Sequence, residues 1–137
     1  MAFKKQSKME KRIINPWKWQ DDRHYVQGVE VTNVSGTLYC AGQAAVHEDG
    51  TSSSADIKTQ LSLAINNLEK VISEAGYEPK NIVRLNVYTK SHDEFFTAFD
   101  MFGEWIAKHG IKQAATFFEV KTLYETLKVE LEATVVK

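Results

Sequence analysis

Two stretches near the C-terminal end carry residues whose types and spacing could do chemistry. "KVELEATVV" puts Glu130, Glu132 and Thr134 at alternate positions, on one face of a strand. Carboxylates on a sheet face need water, a partner or a substrate. One held beside apolar groups can move a proton to or from a small molecule as general acid or base. "AATFFEV", residues 114–120, alternates too, with Ala115, Phe117 and Glu119 on one face and Thr116, Phe118 and Val120 on the other. Together the two strands read as the floor of a cleft. Other chemistries are less well served. His24, His47, His92 and His109 fall on different loops or ends, without a metal-ligand spacing. Cys40 has no histidine placed to activate it and reads as a buried structural thiol. The seven glycines are dispersed and form no phosphate-binding loop.

The elements that must position these residues follow from periodicity and punctuation. "YVQGVEV" (25–31) and "TLYCAGQAAV" (37–46) read as strands, and "NVSG" between them as the turn of a hairpin. After the loop "HEDGTSSS", Ile57, Leu61, Ala64, Ile65, Leu68, Val71, Ile72 and Ala75 mark one helical stripe. Ser53 or Ser54 can cap it, Asp56 suits its first turn, and Gly76 stops it. "NIVRLNVYTK" is a strand with Arg84, Asn86 and Tyr88 opposite Val83, Leu85 and Val87. "SHDE" (91–94) is a capping box that opens a second helix with Phe95, Phe99, Phe102 and Ile106 on its stripe, ended by Gly110. The order is β-β-α-β-α-β-β, an α+β chain whose two helices cover one face of a sheet. The opposite face carries Arg84, Asn86, Tyr88, Glu130, Glu132 and Thr134, too mixed for a monomer's core. A symmetric oligomer that buries it, with ligand clefts between subunits, is the natural solution.

The 137 residues suit one domain, with a basic flexible tail over 1–12 and the folded domain over 13–137. A net charge of −1 gives no footprint for nucleic acid or an anionic membrane, and no apolar run is long enough to span a bilayer. The N-terminus lacks the apolar core of a signal peptide, and a single cysteine fits a reducing compartment; the expectation is a cytoplasmic protein.

Taken in order, "YVQGVEV", "CAGQAAV", "IKTQLSLAINNLEKVISEAG", "IVRLNVYTKSHDEF", "FFEV" and "VELEATVV" closely resemble the Rid family, also called YjgF or L-PSP endoribonuclease, from about Ile14 to Val136. The resemblance implies a chorismate-mutase-like α+β fold and a homotrimer with three clefts at subunit interfaces. It also implies hydrolysis of reactive enamines and imines, such as 2-aminoacrylate, to a ketoacid and ammonia, without metal or organic cofactor. No nucleic-acid partner is expected, since neither a basic groove nor a positioned His/Lys pair supports the ribonuclease label.

Position by position, the chain departs from the pattern. Active members carry an arginine in a motif like "PARSxVEV"; the aligned run is "QAATFFEV", with Ala115 at the arginine's place. A guanidinium grips a carboxylate through two parallel hydrogen bonds, and alanine cannot. Phe99 aligns with an asparagine, Phe117 with a small residue, and Ala41 with the serine before the "GQ" pair. Each change removes polarity. Tyr25, Gln27, Gly42, Gln43 and Glu130 are kept. The resemblance makes Tyr25, Ala41, Gly42, Gln43, Phe99, Ala115 and Phe117 the substrate-binding set, and Glu130 the glutamate that positions or activates water. Glu130 has a second reading, as half of a structural pair with Arg84 across the sheet. The function expected is an imine or enamine hydrolase of altered specificity, weak or inactive on 2-aminoacrylate. The alternative is a non-catalytic trimer that binds a small ligand or a partner.

Overall fold

The computed structural model of the chain describes residues 8–137. Ten regular elements follow one another: β1 (Glu10–Ile14), β2 (Gly28–Thr32), β3 (Thr37–Tyr39), β4 (Gln43–Ala44), α1 (Ile57–Glu74), β5 (Ile82–Thr89), α2 (His92–Phe96), α3 (Phe99–His109), β6 (Ala114–Glu119) and β7 (Val129–Val136). A single 3-10 turn at Pro79–Asn81 leads into β5.

The main sheet runs β3-β7-β5-β6, with β4 also on β7. β5 and β6 are parallel, joined over the sheet by α2 and α3, and the remaining pairs are antiparallel. Alternation along β5 and β7 sends Leu85, Val87, Val129, Leu131, Ala133 and Val135 toward the helices. They meet Leu61, Ala64, Leu68 and Ile72 of α1 and Phe102, Trp105 and Ile106 of α3. Among the described residues nothing covers the second face, and it carries the mixed residues expected there.

Several expectations need correction. "YVQGVEV" and "TLYCAGQAAV" do not form a hairpin: β2 pairs with β1, and β3 pairs with β7. β1 offers β2 a full five-residue register with an Arg12–Glu30 ion pair, whereas Leu38 of β3 packs on the main core. Among the described residues the first strand thus starts at Glu10, inside the stretch read as a tail; residues 1–7 lie outside the described residues. The second predicted strand breaks into β3 and β4 around Ala41 and Gly42. In the sheet β5 lies between β6 and β7.

The helix behind "SHDE" is two helices. Ser91 caps α2, its hydroxyl accepting from the Glu94 amide at 3.1 Å. The Thr97 hydroxyl then donates back to the Glu94 carbonyl at 2.6 Å, competing with the helical ladder, and α3 restarts at Phe99. α1 is capped by Asp56, which accepts from the Thr59 amide at 2.9 Å, while Ser53 serves the preceding turn. Gly76 and Gly110 stop α1 and α3 in the left-handed region, at φ 79° and 61°. In β5 an irregularity between Ile82 and Arg84 shifts the alternation, so Ile82, rather than Val83, joins the helix-covered core.

Candidate functional site

A cavity of about 660 Å³ opens at the β6 edge of the sheet, lined by Arg23, Tyr25, Gln27, Phe96, Phe99, Ala115, Thr116 and Phe117. Its size suits a small organic ligand. Val26 bridges Ala114 in parallel, and its amide donates to the Gln113 carbonyl at 3.0 Å, so residues 25–27 run alongside β6. Val26 is buried, and its neighbours Tyr25 and Gln27 reach the cavity. The Gln27 amide group approaches the Tyr25 hydroxyl at 3.4 Å, and the Gln27 backbone N–H donates to Asn15 Oδ1 at 2.9 Å.

The aromatic wall is one connected cluster. Phe95 packs edge-on to Phe99 and Phe102, and Phe102 to Phe117, with centroids 5.7–6.5 Å apart. Phe96, on the rim and half exposed, meets Phe99 at 5.6 Å. Phe117 packs against the helix-side core from β6, so it and Phe99 narrow the cavity without closing it.

Four of the predicted residues therefore come together: Tyr25, Phe99, Ala115 and Phe117. The other four form a second group, across the sheet. Ala44 of β4 lies opposite Glu130 of β7, and Gln43 opposite Leu131. Gly42 lies directly under the Glu130 carboxylate, and a side chain there would collide with Oε1. Ala41 sits beside it, its carbonyl accepting from the Gln43 amide group at 3.3 Å. Glu130 pairs in register with Tyr88, and Tyr88 with Phe118, on the uncovered face. Ala115 and Phe117 pair with Leu85 and Val87, on the helix side. One chain does not join Glu130 to the cavity.

The structural reading of Glu130 as the partner of Arg84 does not hold. Arg84 donates to the Thr116 hydroxyl at 2.9 Å. Glu132 is the engaged carboxylate: Asn86 and Tyr88 both donate to its Oε1 at 2.9 Å. These two bonds hold the Glu132 carboxyl below the usual range, and the Tyr88 phenol, bonded to that carboxylate, is raised. Glu119 accepts from the His92 amide at 2.9 Å, a structural task. Among the described residues, Glu130 has neither hydrogen bond nor ion pair. Cys40 is buried, and burial pushes its thiol up. Among the described residues no group of three His, Cys, Asp or Glu could hold a metal ion.

Sequence reasoning missed Arg23, Phe96 and Thr116. The alternation of Arg23, Tyr25 and Gln27 was the available signal for the first, and the three-residue spacing of Phe96 and Phe99 for the second. His24 hid the pattern. It stands at φ 61° and pushes its imidazole against Gly103 of α3, where a side chain would overlap the ring.

Comparison with known proteins agrees with this architecture. The family model described as Endoribonuclease L-PSP matches residues 20–137. A RutC family protein of Pyrococcus abyssi is 29% identical over 110 residues, covering 80% of this chain and 83% of that protein. The 2-iminobutanoate/2-iminopropanoate deaminase of Escherichia coli is 27% identical over 114 residues, 82% of this chain and 87% of its own length. The crystal structure of a Rid family protein of unknown function from Yersinia pestis superposes with a TM-score of 0.81 at 28% identity, covering 93% of this chain and 98% of that one. The chain, with its mixed sheet, its helices on one face and its edge cavity, belongs to the Rid (YjgF, L-PSP endoribonuclease) family.

Proposed function

We propose that three copies of this chain assemble around the uncovered sheet faces, and that the resulting interface clefts hydrolyse a small reactive imine or enamine. The observation that carries the catalytic reading is the contrast between two carboxylates on one strand. Glu132 is occupied by Asn86 and Tyr88, whereas Glu130 is held over the bare backbone of Gly42 with no partner among the described residues. The Glu130 carboxylate takes the space that a side chain at position 42 would fill, so glycine there is what lets it sit against the backbone. A second copy can bring its Gly42–Glu130 corner to the Ala115 cavity of the first, which makes a heterologous contact that closes as a ring.

In the cleft, Glu130 takes a proton from water as the oxygen bonds to the imine carbon, and the nitrogen is protonated. Collapse of the tetrahedral adduct expels ammonia and leaves a carbonyl. Imine and water give ketone and ammonia, with no electron acceptor required. The deaminase name of the Escherichia coli relative supports this reaction class. With Ala115 at the place of the usual arginine, activity on 2-aminoacrylate or 2-iminopropionate is expected to be weak beside that relative.

Glu130→Gln tests the reading. An imine generated by an amino-acid oxidase should be hydrolysed by the wild type and about 10²-fold more slowly by the variant, with ligand binding retained. The alternative is a non-catalytic binder, which the aromatic lining of the cavity favours. Equal rates in the presence and absence of the wild-type protein, with the ligand still bound, would favour it.

A further inference from the structure

The cavity at the β6 edge has lost a cation at position 115, yet it is not without one. Arg23 lines it from the segment that precedes β2 and runs alongside β6. Its guanidinium carbon lies 5.1 Å from the centroid of the Trp19 ring, and Trp19 stacks on Trp17 at 5.9 Å. A guanidinium set over an indole keeps its charge and orientation while its N–H edges stay available for a bidentate partner. Among the described residues no carboxylate pairs with it; the neighbouring Asp21 is taken by the Gln20 amide at 2.9 Å.

The rest of the lining defines what the cation can hold. Phe96, Phe99, Phe117 and Ala115 give an apolar wall large enough for an aryl group, and Tyr25, Gln27 and Thr116 add neutral polar atoms. Arg23 is exposed at the rim, while Phe99 and Phe117 pack on the core. We infer that Arg23 has taken over anion recognition, so that the cavity binds a carboxylate with a bulky apolar or aromatic body, charge at the rim and body inward. This rests on the proposed function only for its catalytic consequence: the imine processed would be an imino acid with a large apolar side chain.

The site is held by His24. Arg23 and Tyr25 flank it, its carbonyl accepts from the Gln113 side-chain amide at 2.8 Å, and its ring packs against Gly103 and lies 5.4 Å from Phe99. The rim is thereby tied to α3 and β6.

Calorimetric titration with 3-phenylpropanoate, 3-phenylpropanamide and propanoate tests the inference, with Trp fluorescence as a second readout beside Arg23. The aryl acid should bind, and both the neutral amide and the short acid should bind roughly tenfold or more weakly. Arg23→Met, which keeps the apolar stem, should abolish the preference for acid over amide; Arg23→Lys should retain part of it. Equal affinity for acid and amide in the wild type, no binding of the acid at millimolar concentration, or an intact preference in Arg23→Met would overturn it. Position 23 is exposed, and an unchanged melting temperature in both variants verifies folding. The two proposals separate cleanly. Hydrolysis that needs Glu130 but is indifferent to Arg23→Met sinks only the recognition role. Acid binding that needs Arg23 without any turnover sinks only the hydrolase.

Discussion

At the scale of single residues, the uncovered face is organised around Glu132. Two donors converge on one of its oxygens, from Asn86 and Tyr88 of the adjacent strand. Because the folded carboxyl is held below its ordinary value, its stabilisation is complete above the unfolded value of roughly 4.3 and is lost as pH falls through the lower folded value. Tyr88 sets the opposite limb: its raised phenol contributes stability below roughly pH 10 that is lost as pH rises through the folded value. Glu132→Gln should destabilise by about 1 kcal/mol at neutral pH, after allowance for solvent screening on an open face. Thermal melts of variant and wild type should converge as the pH is lowered below 4. A gap that persists undiminished in acid would mean that the ionised carboxylate is not what Asn86 and Tyr88 hold. Gly42 makes a second residue-scale case, since Gly42→Ala should push the Glu130 carboxylate aside and reduce turnover more than stability.

Among the elements, the decisive contact is between α3 and the segment before β2. Gly103 is buried within α3, where alanine is ordinarily favoured by about 1 kcal/mol. Here a methyl would enter the space of the His24 ring. Gly103→Ala should therefore lose about 1–3 kcal/mol despite its better helix propensity, and should weaken ligand binding through Arg23 and Tyr25. His24 stands at positive φ, so His24→Gly removes the ring at a position glycine adopts freely. Combined with Gly103→Ala, it should recover much of the lost stability in a double-mutant cycle. Strict additivity of the two melting shifts would argue against the packing assigned here. Phe95 and Phe96 are adjacent in α2 and so point to different sides, Phe96 to the rim and Phe95 to the core.

For the whole molecule, the two faces of the sheet are the basis of the proposed trimer. Its helix-covered face is a closed core, whereas the other face leaves Tyr39 79% and Phe118 38% exposed beside the Glu132 network. Tyr88 and Phe118 stack at 4.9 Å on this face, presenting a flat aromatic surface. Burial against two further copies would remove it from water at about 25 cal/mol per Å². Light scattering should return three times 15.6 kDa. A stable monomer at micromolar concentration would leave Glu130 and the Ala115 cavity on separate faces and defeat the catalytic proposal.

Periodicity, punctuation and residue type were enough for the span of α1, the strands β5, β6 and β7, the mixed uncovered face and the family pattern that singled out Ala115, whereas the helix behind "SHDE" was read as one and is two. These are local properties: stripes at helical spacing, alternation and glycine stops report on neighbours in the chain. They also told apart the two faces of β6, with Phe117 turned to the core and Phe118 away from it. Strand partners were another matter. β1, not β3, pairs with β2 in a register that no short stretch reveals, and β5 lies between β6 and β7, with α2 and α3 crossing over from β5 to β6. The tertiary structure likewise decided which carboxylate is taken, because Asn86 and Tyr88 reach Glu132 across strands 46 and 44 residues apart in sequence. It decided, too, that Arg23 lines the cavity at Ala115. Arg23 and Ala115 are brought together by a parallel bridge at Val26 and a histidine seated on a glycine, contacts whose energy depends on distance in space and leaves no period in the sequence.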